Sequence, residues 1–297
     1  RIFHGKTDLY LGNLTLTGGQ GGNIGGGAVW MQAGKLELQS VTVKSCSADS
    51  TGAGVLALAD AKISDSVLLD NKLTKAAAGA MGGAVHFDAG ALVERSLFMG
   101  NTSTGGGGAI SCSSSCKATI TRSALRNNSA ATGGGLFVQG EALVVNTTID
   151  GNNATVTGGG VGATGTLELV HCTIAANESA NVAGVMTAGG LALRNTLIGD
   201  SLGGGSDCVA GKLLATVNSL VTDGTCNALL SGPLGLGPLV PGCGGLSMRT
   251  PKAGSKAIDG GDAKVCASAA VGGVDQCGKP RPVGAGCDLG AVEASAP

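Results

Sequence analysis

Apolar residues recur in one spacing along about two-thirds of the chain: two of them one residue apart, four spacers, a third, two spacers, then a polar residue. Leu36 and Leu38 with Val43 and Cys46 set the frame. Leu68 with Asn71, Phe98 with Asn101, Leu125 with Asn128, Ile149 with Asn152 and Ile174 with Asn177 repeat its second half. From Gly19 onward the last position steps by 27, 25, 30, 27, 24, 25, 24 and 22 residues. A second landmark falls between these segments: Gly26-Gly27-Ala28-Val29, Gly82-Gly83-Ala84-Val85, Gly107-Gly108-Ala109-Ile110 and Gly158-Gly159-Gly160-Val161. Alternation with a period of two marks strands, not helices. Three short strands per cycle, each without room for a hairpin partner, stack as coils about 4.8 Å apart. The pattern predicts an all-β, right-handed parallel β-helix of about nine coils, roughly 40 Å long at that spacing. Its limits are residues 1–230. Residues 231–297 are expected to form an irregular cap over the open end, stapled by disulfides.

The repeat assigns side chains to columns. Asn71, Asn101, Asn128, Asn152 and Asn177 share one corner and form an expected internal amide ladder, with asparagine tolerating a left-handed backbone there. After the glycine turn come Trp30, Leu56, His86, Ser111, Phe137, Gly162 and Met186, which alternation points outward if their neighbours point in. An exterior apolar face meets either a partner or a covering loop. Ahead of the third apolar anchor stand Asp65, Arg95, Arg122 and His171, an outward column suited to an acidic glycan.

Composition narrows the functions on offer. Glycine supplies 55 of 297 residues, so thin stacked layers are expected, yet no strict every-third glycine makes the chain collagenous. The glycine runs lack the strand, helix and lysine of a phosphate loop. A net charge of −1 without a basic cluster excludes nucleic-acid binding on electrostatic grounds. No apolar run is long enough to span a membrane as a helix. Ten cysteines without metal-ligand spacing point to disulfides and to a secreted or cell-surface location. Cys112 and Cys116 suit a small loop bridge, and Cys243, Cys266, Cys277 and Cys287 are candidates to staple the tail. Sequons begin at Asn13, Asn101, Asn127, Asn146, Asn153 and Asn177. No cofactor is expected, although Asp259 and Asp262 are candidate calcium ligands in the tail.

Phe98-Met99-Gly100-Asn101 with Gly107-Gly108-Ala109-Ile110 resembles the repeat of polymorphic outer membrane proteins. The segment Gly254–Asp262, then Asp275-Gln276, Pro280-Arg281-Pro282 and Cys287-Asp288-Leu289-Gly290-Ala291-Val292-Glu293, is similar to the tail of the bacterial choice-of-anchor Q family. It departs from that family at Lys256, Cys277 and Val292, and Cys277 thereby suggests an additional bridge. The resemblance implies a secreted or surface-displayed bacterial β-helix, adhesive in some relatives, and does not itself imply a catalytic site. The expected function is a non-enzymatic scaffold for adhesion or self-assembly, its partners other copies of itself or a cell-surface glycan. The competing reading is a polysaccharide lyase or hydrolase acting on an acidic glycan. That chemistry requires paired carboxylates, or calcium with a basic residue, beside a sugar groove.

Overall fold

Alternating apolar residues in runs of three to five become strands that pair only with the coils before and after them. The computed structural model describes residues 1–75 and 79–294. Nine coils wind in succession, each strand parallel to its neighbours above and below. One face begins at Phe3–Gly5 and Val29–Met31, a second at Leu9–Gly12 and Leu36–Gln39, and a third at Thr15–Thr17 and Thr42–Lys44. The first two faces merge into one sheet of 16 strands where Val182–Arg194 and Ser206–Val217 run through the corner; the third face has 10 strands.

Register carries the sequence columns straight into the core. On the third face Leu16, Val43, Leu68, Phe98, Leu125, Ile149, Ile174, Ile198 and Val221 stack one above the next and are buried. Burial of each such side chain stabilises by about 1.5–3 kcal/mol. Glycine is required where coils nearly touch. Gly107 turns at a φ of 67°, and a Cβ on Gly108 would meet the Gly134 carbonyl of the next coil at 2.2 Å.

The C-terminal segment departs from its expected place. Leu230–Ser231 still pairs with the third face, and the disulfide Cys208–Cys226 holds the last turn over the core. Beyond this the chain does not sit on the open end but folds back as a flap along the outer side of the third face. The Ala291 amide donates to Thr173 Oγ1 at 2.9 Å, Thr148 Oγ1 donates to Gln276 at 2.6 Å, and Arg249 pairs with Asp150. The physical reason is apolar: Ala175, Leu197 and Leu220 point outward on that face, and Leu234, Leu236, Ala257 and Leu289 bury them. Cys243–Cys277 and Cys266–Cys287 tie the flap together, while Cys112–Cys116 closes a loop on a coil.

Candidate functional site

The five asparagines bond vertically in the interior. Each amide nitrogen of Asn71, Asn101, Asn128 and Asn152 donates to the side-chain oxygen of the next, at 2.9–3.0 Å. The left-handed residue is not the asparagine itself, as expected from the sequence, but the one before it: Asp70, Gly100, Asn127, Gly151 and Ala176 all have positive φ. The exposed turn takes the unusual backbone, which frees the following residue to aim inward. A second ladder, which the sequence reading missed, runs one residue after the other left-handed turn. There Ser66, Ser96, Ser123, Thr147, Thr196 and Ser219 each donate to the carbonyl two residues back. The same hydroxyls of Ser66, Ser96, Ser123 and Thr147 accept the amide of the coil before. The signal was present as a hydroxyl at each repeat from Ser66 to Ser219, interrupted within that run once by Cys172. Cys172 fills that slot, and Cys46 fills the asparagine slot beneath Asn71. Both thiols are unbridged and buried. Burial pushes the Cys172 thiol up to about 12 and also raises Cys46, so both are inert packing groups.

The apolar column lies in register from Trp30 through Leu56, His86, Ser111, Phe137 and Gly162 to Met186. It is not an open face. Leu56 and His86 are buried, and Trp30, Phe137 and Met186 are half-buried. Glycine turns of neighbouring segments fold across it: a Cβ on Gly106 would strike Phe137 at 2.5 Å, and one on Gly82 would meet Ser111 Oγ at 2.8 Å. Trp30 is stacked on His4 at 4.0 Å and lies under the Arg1 guanidinium. Within this column Ser111 Oγ stands 2.7 Å from His86 Nδ1, and His86 Nε2 stands 3.1 Å from Asp88. The set has the elements of a nucleophilic triad, but Ser111 is fully buried under the turn, so no acyl group reaches it. The network ties adjacent coils.

The charged column separates into two parts. Asp65, Arg95, Arg122, Asn146, His171 and Asn195 all occupy a left-handed turn. Asp65 and Arg95 form a bidentate pair at 2.6 and 2.7 Å, and this hydrogen bonding holds the Asp65 carboxyl below its ordinary range. The Arg122 guanidinium has no partner among the described residues. These three line a groove of about 220 Å³ whose opposite wall is the flap at Cys243, Gly244, Leu246, Gln276 and Cys277. Its charged lining is two guanidiniums against one carboxylate, a net positive recess. His171, expected to join the column outside, is instead fully buried beneath the flap, because the flap crosses the rod at that level. Its imidazole is held well below its usual range by burial and by nearby Arg281, so it is neutral.

In the flap, the Asp259 carboxylate accepts the Gly286 amide and Asp262 accepts the amides of Lys264 and Val265 at the start of the short helix Ala263–Cys266. Both carboxylates thus serve local turns. The group among the described residues whose ligand atoms converge closely enough for a metal is His171, Cys266 and Cys287. Asn101, Asn146 and Asn177 of the sequons are buried, whereas Asn13 and Asn127 are exposed. Among the described residues no helix is long and apolar enough to cross a membrane.

Stacked parallel coils with an interior amide ladder define a β-solenoid. A family model described as a right handed beta helix region matches residues 13–179, more than half of the chain. The chain belongs to that family. No curated protein and no solved structure matches it.

Proposed function

We propose that this protein is a non-enzymatic, secreted or cell-surface β-helix that adheres to an acidic glycan through the groove between the coils and the flap. The observation that supports this reading most directly is the placement of Arg95 and Arg122 on consecutive coils, with Arg122 unpaired among the described residues, inside a recess otherwise lined mostly by apolar side chains such as Val67, Leu97 and Leu246. Guanidiniums present planar donors that match carboxylate and sulfate oxygens, so an anionic sugar suits them. The lateral apolar column supports self-assembly less well, since glycine turns cover much of it.

The hydrolase reading lacks its acid. Asp65 is the lone carboxylate of the groove, and Arg95 keeps it ionised, whereas glycoside hydrolysis uses two carboxyl groups with one protonated. The test is equilibrium binding to immobilised polygalacturonate and a sulfated glycan, with a neutral glucan as control. The expected result is salt-sensitive binding to the acidic polymers, weakened about tenfold or more by Arg122→Ala, as for loss of a charged hydrogen bond. Equal binding of the neutral glucan, or an unaffected Arg122→Ala variant, would overturn it. Shortening of the polymer during incubation would instead establish an enzyme.

A further inference from the structure

His171, Cys266 and Cys287 meet where the flap crosses the rod. One imidazole nitrogen and the two sulfurs lie within 4.8 Å of one another. The imidazole is fully buried, and its Nδ1 has no hydrogen-bond partner among the described residues. Its Nε2 stands 3.0 Å from the Asn195 amide, which itself lies 3.4 Å from Cys266 Sγ. A cavity of about 230 Å³ reaches both cysteines between Gly261, Arg281 and Pro282. Buried polar groups ordinarily find partners, and the repeat imposes no histidine at this turn, where other coils carry Ser40, Asp65 or Asn146. An imidazole nitrogen that converges with two sulfurs beside a cavity is a ligand set.

We propose that, once the Cys266–Cys287 bridge is reduced, His171 and the two cysteines form a soft-metal site that takes Zn²⁺, with its fourth ligand drawn from the cavity. A phosphine reductant takes one oxygen atom from water and becomes its oxide. Its two electrons break the S–S bond, and the two protons of that water complete two thiols. Zn²⁺ then displaces both thiol protons and forms two Zn–S bonds and one Zn–N bond. Tetrahedral zinc with Zn–S near 2.3 Å sets the sulfurs about 3.8 Å apart. The Cα atoms, 6.5 Å apart, accommodate either state. Charge balance favours this ligand set: two thiolates cancel the dication, so the occupied site is neutral beside buried Arg281. The oxidised bridge keeps the site closed, so it is gated by redox state and is independent of the glycan groove.

The test is anaerobic titration of the intact chain with Co²⁺, before and after phosphine reduction. The reduced chain is expected to show thiolate-to-cobalt charge-transfer absorption at one equivalent, with none in the oxidised chain. His171→Ala should lower the affinity by at least about tenfold. Reduction opens the other bridges too, so a second measurement uses the unmutated chain: alkylation by iodoacetamide, with and without Zn²⁺, mapped by mass spectrometry. Zn²⁺ should shield Cys266 and Cys287 together and leave Cys243 and Cys277 reactive. The proposal fails if reduced protein binds no Co²⁺, if His171→Ala binds as well as the parent, or if Zn²⁺ shields none of the four or all alike.

Discussion

Nine coils place a left-handed residue at the same turn, from Asn13 to Asn218, yet two stretches of that column differ in what they carry. Asp65, Arg95 and Arg122 remain half-exposed and face a groove, while Asn146, His171 and Asn195 are at most 1% exposed beneath the flap. Side-chain chemistry follows water. Between Asp65 and Arg122, where solvent remains, the slot holds charges, two of them paired. Where the flap excludes solvent, it holds amides and a neutral imidazole, which avoid the cost of an unpaired buried charge. The Asn146 amide donates to the Val274 carbonyl at 2.8 Å, and Asn195 accepts the Asp262 amide at 2.9 Å. A backbone position set by the repeat thus becomes a recognition surface in one stretch and a docking point in the other.

The most forceful way to break this contrast is to detach the flap. Arg281 and Glu293 form an ion pair with both side chains fully buried, and Glu293 also accepts the amides of Val283 and Asp288. Removing one partner of such a pair leaves the other charge buried and costs about 3–5 kcal/mol. Glu293→Ala should therefore release the flap, seen as rapid amide exchange at Gly290 and Ala291, which bond it to the coils, while the asparagine-bearing coils around Asn71 and Asn101 keep their protection. Uniform loss of protection along the whole rod would show that the flap and coils form one cooperative unit and that the two-part description is wrong.

A smaller change probes what both stretches share. Asn128 accepts from the amide and the side chain of Asn101 and donates to Phe98 and Asn152. Asn128→Ala orphans those donors and should cost about 1–3 kcal/mol. A melting temperature equal to that of the parent would remove the ladder as a stabilising element.

The two stretches also differ in how far they can be read from sequence. The ladder was legible because its residues repeat with the coil, and so was every inward aliphatic column. The hydroxyl ladder repeats as faithfully, but its mixture of Ser and Thr with Cys172 hides it among ordinary turn residues. The flap's docking has no period at all: Arg126 finds Ser247, Thr148 finds Gln276 and Thr173 finds Ala291, each more than 100 residues away. Its apolar need was present in Leu197 and Leu220, which point outward on the third face, but nothing in a coil's own repeat says which distant segment will cover them. The Trp30–Met186 column shows the same limit. Alternation determines which side of a strand a residue takes, but not which glycine turn then crosses over it.

Titration gives the finest test of the contrast, because the two stretches respond to acid with opposite signs. Asp65 has a folded pKa below its ordinary value, owing to Arg95. Its contribution is present above about pH 4 and is lost as pH falls through the depressed folded value. Asp150 and Asp288, beneath or within the flap, are raised by burial, which outweighs Arg249 at Asp150. For these groups the protonated form is favoured by folding. Stability is gained as pH falls through the raised folded values toward about pH 4, the ordinary carboxyl range, and is lost again as pH rises through them. Acidification from neutral pH toward 4 should therefore hold or increase the opening free energy of the flap amides at Gly290 and Ala291, after correction for intrinsic exchange. Weakening at the Asp65–Arg95 turn should begin only at lower pH. If the flap amides instead open more readily over the first interval, the carboxylates beneath it are stabilised by their arginines more than they are penalised by burial, and the division of the column by water is not what governs its chemistry.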